Sequence, residues 1–100
     1  MAKTEEILQE VAKTFSERGK TYGNAYERVG KVLECMFPDG VTIKNSNDMA
    51  RMHIFGWIIG KLVRYSTDFN KPHQDSIHDA CAYCAMLESI DSNLEVNNND

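Results

Sequence analysis

The sequence predicts an all-α fold, and three observations support that prediction. Apolar residues recur every three or four positions through most of the 100 residues, which is the period of one face of a helix. Turn-forming residues interrupt this period near Gly19, at Pro38 and ahead of Pro72. Only residues 41–43 have extended character, and one such run makes no sheet. We therefore expect a single domain, a compact four-helix arrangement over residues 1–94, followed by a polar disordered tail at 95–100.

The first two helices are predicted from their apolar stripes. Thr4 is the predicted N-cap of the first helix and Gly19 its predicted stop. The second helix ends at the turn that follows Pro38. The stripe of the first helix consists of Ile7, Leu8, Val11, Ala12 and Phe15, and that of the second of Tyr26, Val29, Leu33, Met36 and Phe37.

The third and fourth helices are predicted to form a long central hairpin. Residues 46–48 cap the third helix, which runs to Thr67 or Asp68, and Pro72 opens the fourth in its first turn. A short connection favours antiparallel packing of the two. The middle of the third helix is apolar on nearly all sides, as expected of a helix buried within one subunit or by association of subunits. Because the chain is so small, we expect a homo-oligomer.

Charge and composition narrow the class of protein. The net charge of −4 comes largely from the C-terminal end, and the rest of the chain is close to neutral, which argues against binding to duplex DNA. No apolar run is long enough to cross a bilayer, and the N-terminus shows no apolar signal segment. Three cysteines, an odd number, indicate a reducing compartment. We expect a cytoplasmic protein without a membrane partner.

Charged residues in the predicted hairpin are the main candidates for function. In an antiparallel pair, Lys61 would lie near Asp79, and Arg64 near Asp75 and Ser76. Charges among apolar residues need either mutual neutralisation or a ligand, because an unpaired buried charge is costly. The first alternative makes the four charges structural ion pairs. The second makes Lys61 and Arg64 a clamp for phosphate groups.

The acidic members of this cluster have two possible roles. Asp75 and Asp79 are one helical turn apart and could hold a divalent cation such as Mg²⁺ together with substrate phosphates, or one of them could act as a general base. Alternatively, Asp75 is only a first-turn residue favoured by the helix dipole. His73 lies beside them, but its spacing matches no zinc signature, and the identity of any metal ligand stays open.

A second concentration of signals lies between Arg18 and Gly23. Arg18, Lys20, Tyr22 and two glycines fall within six positions, and such a loop can meet an anion and stack a base. The alternative is an ordinary helix C-terminus capped by Gly19. No Walker-type phosphate loop occurs in the sequence, nor any Ser or Cys nucleophile motif.

Three motifs in order resemble a known family. They are Arg-Gly-x-x-Tyr-Gly from Arg18, Lys-x-x-Arg from Lys61, and His-x-Asp-Ser-x-x-Asp-x-x-x-Tyr from His73. Together they resemble small phage-encoded all-α proteins grouped with nucleotide-modification-associated domains, which are distantly similar to MazG-like nucleotide pyrophosphohydrolases and to a phage nucleotide kinase without a Walker loop. The resemblance covers residues 18–87. It implies a phage protein of the nucleotide pool more firmly than it names a reaction.

The chain departs from the MazG-like pattern in its carboxylates. Those enzymes bind magnesium through Glu-Glu-x-x-Glu on one helix and Glu-x-x-Asp on another. Here the first-helix glutamates have a different spacing, and the late pair, Asp75 and Asp79, is four positions apart rather than three. The magnesium cage is therefore incomplete within one subunit, unless a neighbouring subunit contributes.

Three functional hypotheses follow from these observations. In the first, Lys61, Arg64, Arg18 and Lys20 bind the phosphates of a (deoxy)nucleotide, with Tyr22 on the base, His73 and Ser76 close by, and Asp75 and Asp79 as catalytic groups for phosphoryl transfer or pyrophosphohydrolysis. In the second, the same residues sequester a nucleotide without turnover. In the third, the chain is a non-catalytic oligomeric interaction or anti-host protein, in which the charges are structural ion pairs.

Overall fold

Four α-helices make up the part of the chain that the structure, a computed structural model, describes. That part is residues 3–98, with the side chains at 21, 22 and 95–98 excepted. The helices are α1 (Thr4–Tyr22), α2 (Ala25–Met36), α3 (Ser46–Thr67) and α4 (Gln74–Asn98). Residues 41–43 are irregular, and residues 3–98 contain no strand. The all-α prediction is confirmed.

The helix ends differ from the predicted ones by a few residues. α1 passes through Gly19 and ends at Gly23, whose φ of 60° and N–H bond to the Gly19 carbonyl (2.9 Å) close the last turn. A positive φ suits glycine because it has no Cβ to clash. Because Gly19 lies inside the helix and Gly23 caps it, the prediction of a stop at Gly19 is wrong. α3 is capped one residue earlier than predicted, by the Asn45 side chain, which accepts from the Asp48 N–H at 2.9 Å.

α2 packs against α3. Ala25, Ile59 and Val63 form a buried cluster there. Arg28 also links the two helices by hydrogen bonds. Its two terminal nitrogens donate to the Thr67 hydroxyl at 3.1 Å and to the Ser66 hydroxyl at 3.0 Å. The cluster is flanked by Val29, Val32, Leu33 and Phe55.

α3 and α4 run antiparallel, as two ion pairs between them show. Near the start of α3, Arg51 Nε lies 2.7 Å from Asp91 Oδ1. Two-thirds of the way along α3, Lys61 Nζ lies 3.0 Å from Asp79 Oδ2. α4 continues to Asn98, so residues 95–98, which the sequence assigns to the tail, are helical, while Asn99 and Asp100 lie outside the described residues.

The chain is less compact than the sequence predicts. Its radius of gyration is 17.3 Å, against about 13 Å for a compact domain of this length. α1 makes few contacts with the other helices. Its stripe residues Ile7, Leu8, Val11 and Phe15 are 52% to 61% exposed. The prediction of compact packing is therefore wrong for this chain taken alone.

The middle of α3 is also only partly covered. Ile58, Ile59 and Val63 are buried, whereas Trp57 and Leu62 are exposed. On α4, Ala80 is buried, but Cys81 and Cys84 are exposed. Within residues 3–98, none of the helices combines the length and apolarity needed to cross a bilayer.

Candidate functional site

Two adjoining cavities meet at one turn of α3. The first, of about 290 Å³, lies between α3 and α4 and is lined by Gly56, Trp57, Gly60, Lys61, Arg64 and Tyr83. The second, of about 330 Å³, lies between α1, α2 and α3. It shares Gly60 and Arg64 with the first and adds, among others, Phe15, Arg18 and Tyr26. We call the two cavities together the basic groove.

Helical spacing explains why α3 supplies most of the lining of the first cavity. Trp57, Lys61 and Arg64 are at positions i, i+4 and i+7, which lie on one face of a helix. Gly60 lies on the same turn, and no heavy atom approaches within 4 Å of the position that a Cβ would take there. The missing side chain therefore leaves open the space that joins the two cavities.

Three cationic side chains border the groove. Arg64 lines both cavities, Lys61 lines the first and Arg18 the second. Lys61, whose side chain is only 19% exposed, pairs with the 41% exposed Asp79. The predicted approach of Lys61 to Asp79 is confirmed. Because Asp79 offsets the charge of Lys61, Arg18 and Arg64 leave the groove with a net positive charge, which favours anions.

Aromatic rings stand at both ends of the groove. The ring centroids of Trp57 and Tyr83 are 5.1 Å apart, and the angle between the two ring planes is 44°. The centroid of the His53 ring lies 4.2 Å from that of Trp57. At the other end, Phe15 of α1 packs edge-on against Tyr26 of α2 at 6.0 Å. Trp57 is 43% exposed, so part of its surface remains available to a flat ligand.

His73 and Ser76 contact each other at the start of α4. His73 Nδ1 and Ser76 Oγ are 2.8 Å apart, and the Ser76 N–H donates to the His73 carbonyl at 3.1 Å. Ser76 is fully buried, so its hydroxyl cannot reach a ligand in the groove unless α4 moves. These contacts support a role in starting α4 rather than in binding substrate.

Neither Lys20 nor Asp75 lines the groove. Lys20 is exposed in the last turn of α1, and the side chain of Tyr22 lies outside the described residues. Asp75 is exposed in the first turn of α4, where the helix dipole favours a carboxylate. The predicted approach of Arg64 to Asp75 and Ser76 stays a prediction.

Among the side chains that the structure describes, no group of three His, Cys, Asp or Glu residues could hold a metal ion. Asp79 contacts the Lys61 ammonium instead, and a cation in that position competes with a metal for the same oxygen. Binding of Mg²⁺ through a carboxylate together with substrate phosphates stays a prediction.

Sequence reasoning missed Trp57, Gly60 and Tyr83 as site residues. In the sequence, Trp57 is one of the residues of the apolar middle of the third helix, and Tyr83 is the last residue of the motif that begins at His73. The spacing of Trp57, Lys61 and Arg64 was the signal that could have found the first of them. No family model matches the chain, and neither a curated protein nor a solved structure shows significant similarity to it.

Proposed function

We propose that the chain binds a nucleotide, or a nucleotide-like phosphate ligand, in the basic groove. The observation that carries this proposal is the position of Arg64, which borders both cavities and lies two helical turns from Trp57 of the Trp57–Tyr83 ring pair. Cationic groups next to exposed aromatic surface match a ligand with phosphates at one end and a flat base at the other. The resemblance of the motifs to a phage nucleotide-pool family points to the same class of ligand.

Phosphate groups suit the cationic part of the groove. A guanidinium donates two parallel hydrogen bonds to a phosphate, and an ammonium adds a compact charge. In this proposal Arg64 and Lys61 contact the phosphates, and Arg18 contributes from α1. Asp79 holds the Lys61 ammonium in place through their 3.0 Å contact.

The base is assigned to the α3/α4 end of the groove. Each cavity, at about 290 and 330 Å³, is at the lower end of the size of small-molecule sites, so a nucleotide would extend through both. The exposed part of the Trp57 ring gives a stacking surface. This assignment replaces Tyr22 by Trp57 as the first candidate for the base contact.

Binding without turnover is the form of the proposal that the geometry supports best. Asp79 is neutralised by Lys61, and Asp75 is exposed outside the groove. Phosphoryl transfer or pyrophosphohydrolysis by these two carboxylates is kept as an outcome of the experiment. Because all three cysteines are unpaired, we place the protein in a reducing cytoplasm, that of the host if a phage encodes it.

The chain's single tryptophan makes the proposal directly testable. Trp57 lines the groove, so its fluorescence is expected to change when deoxynucleotides are titrated into the protein. Mono-, di- and triphosphates are compared with the free nucleosides, and each mixture is assayed for released phosphate and pyrophosphate with and without Mg²⁺. A response to nucleotides but not to nucleosides, without product release, is the expected result.

Two arginines on α3 provide the variant and its control. Arg64→Ala is expected to abolish the fluorescence response. Arg51→Ala removes the same charge from the same helix, but at the Asp48 and Asp91 end, and is expected to leave the response unchanged. Equal loss in both variants, or no response in the wild-type protein, would contradict the proposal. Release of phosphate or pyrophosphate that is lost when Asp79 is replaced would show that the protein is an enzyme.

A structural role for the charges is the second candidate function. The 3.0 Å contact between Lys61 and Asp79 favours it, because an ion pair between two helices also fixes their register. Combining Lys61→Met with Asp79→Leu separates this role from ligand binding, because a purely structural pair can be replaced by apolar residues without loss of stability.

A further inference from the structure

α1 presents an uncovered apolar face. The α1 stripe, defined as Ile7, Leu8, Val11 and Phe15, lies more than half exposed along two turns of the helix. Single exposed apolar residues are common, but a contiguous apolar stripe on a soluble chain marks a surface that binds another molecule. The rest of the described chain leaves most of this stripe open, since α1 makes few contacts with α3 and only Phe15, at the C-terminal end of the stripe, packs against a ring of α2, that of Tyr26.

The charges of α1 indicate what covers the stripe. Residues 3–12 carry one lysine and three glutamates, for a net charge of −2. Residues 13–20 carry three cations and one glutamate, for a net charge of +2. Two copies of such a helix repel each other when parallel and attract each other when antiparallel. The helix is therefore complementary in charge to a second copy of itself in reverse orientation.

We propose that two copies of this chain associate through their α1 stripes, antiparallel and related by a two-fold axis near Val11. A two-fold interface uses the same patch on both subunits, as a stripe centred on one residue allows. The stripe runs from residue 7 to residue 15, so its midpoint is residue 11. In this register, Thr4 of one copy lies opposite Arg18 of the other.

The interface also bears on the basic groove. Arg18 borders the groove from α1, so a partner that holds α1 also holds that side of the groove. The second copy then fixes α1 in place and closes the groove on this side. This consequence rests on the proposed function, whereas the interface itself does not.

The oligomeric state tests the interface on the full chain. Light scattering during gel filtration is expected to give twice the chain mass of 11.4 kDa for the wild-type protein. Val11→Glu places two carboxylates at the two-fold axis and is expected to give the single-chain mass. Met86→Glu is the matched control, since Met86 is a similarly exposed apolar residue on α4, and it is expected to leave the dimer intact. A monomeric wild type, or dissociation by Met86→Glu alone, would overturn the proposal.

Cross-linking tests the orientation without disrupting the stripe. Thr4→Cys and Arg18→Cys are introduced separately into a protein in which Cys35, Cys81 and Cys84 are replaced by serine. Each of the two proteins is oxidised alone, and a mixture of the two is oxidised in parallel. The two positions are about 21 Å apart along one helix. An antiparallel pair therefore gives a disulfide only in the mixture. Disulfides within each separate sample indicate a parallel pair and would contradict the proposal.

A titration distinguishes this inference from the proposed nucleotide site. Val11→Glu is expected to bind the nucleotide several-fold more weakly than wild type, with helix content checked by circular dichroism. If the mass halves and the affinity is unchanged, the interface stands and the closing of the groove is overturned. If wild type is dimeric and binds no nucleotide, the interface stands and the proposed function fails.

Discussion

Lys61 Nζ on α3 lies 3.0 Å from Asp79 Oδ2 on α4, and the two side chains are unequally exposed, at 19% and 41%. The ammonium therefore depends on its partner more than the carboxylate does. Removing the partner of a mostly buried charge costs more than removing both members of the pair. This inequality separates a structural ion pair from a ligand site.

For the first prediction, we expect Asp79→Leu to lower the free energy of unfolding by about 1–3 kcal/mol, because it leaves the Lys61 ammonium without its carboxylate. Lys61→Met is expected to cost less, about 1 kcal/mol or below, because water solvates the half-exposed Asp79. The double variant is expected to be close to wild type. Urea unfolding of all four proteins gives the coupling energy between the two residues.

The same variants test the role of the pair in binding. Lys61→Met is expected to fold and to lose nucleotide affinity. Full affinity in the stable double variant would show that the pair is structural. If the losses of unfolding free energy in the two single variants add up to the loss in the double variant, the two charges are not coupled.

The second prediction concerns Gly60, which leaves space between the two cavities. Gly60→Leu is expected to keep the fold, since a Cβ at that position meets no heavy atom within 4 Å, while the longer side chain fills the groove. We expect at least a tenfold loss of nucleotide affinity, which corresponds to about 1.4 kcal/mol, in the Trp57 fluorescence titration.

Gly30 provides the control for Gly60. It lies on an exposed part of α2, and a Cβ there also meets nothing within 4 Å. Both leucine variants gain helix propensity of up to about 1 kcal/mol, so their thermal midpoints are expected to move together. Loss of affinity in Gly30→Leu as well would show that the effect does not come from filling the groove.

The third prediction concerns Arg28, whose two terminal nitrogens reach the hydroxyls of Thr67 and Ser66. A lysine at this position cannot present two donors in the same fixed geometry. We expect Arg28→Lys to lower the free energy of unfolding by about 1 kcal/mol, measured by urea unfolding. Lys31→Ala, at an exposed position on the same helix, is expected to change it by less than about 0.5 kcal/mol.

The fourth prediction separates structure from binding at the start of α4. Ser76→Ala removes the fully buried hydroxyl that contacts His73, and we expect it to cost about 1–2 kcal/mol of stability. Nucleotide affinity is expected to stay at the wild-type value. Ser89→Ala, at an exposed position of α4, is the control for stability. A folded Ser76→Ala protein without affinity would return Ser76 to the binding site.

The sequence predicts local structure well and the packing of α1 poorly. The bounds of α3 follow from polar caps and an apolar period, and the contact of Lys61 with Asp79 follows from antiparallel pairing of two neighbouring helices. Both are properties of adjacent segments. The choice between Gly19 and Gly23 as the end of α1 is not local in this sense, because both are glycine and only the backbone conformation decides between them.

The candidate site could be predicted in its charges but not in its shape. Lys61, Arg64 and Arg18 stand out in the sequence because cations among apolar residues need a reason. Trp57 does not, because an aromatic residue on an apolar helix is usually core, and its exposure depends on how far α4 covers α3. Ser76 has the opposite outcome, since a serine in a motif suggests a ligand contact, whereas the phase of α4 buries it.

The sparse contacts of α1 with the rest of the chain have a consequence for how the protein responds to dilution. A helix of 19 residues is only marginally stable in water by itself, so α1 draws its stability from whatever covers its stripe. If a second copy of the chain covers the stripe, the fraction of covered α1 depends on the protein concentration by mass action. Amide hydrogens of α1 should then exchange faster as the protein is diluted, while those of α3 keep a constant rate. Helix content becomes a readout of abundance, and the groove that Arg18 borders is complete only where the protein is plentiful.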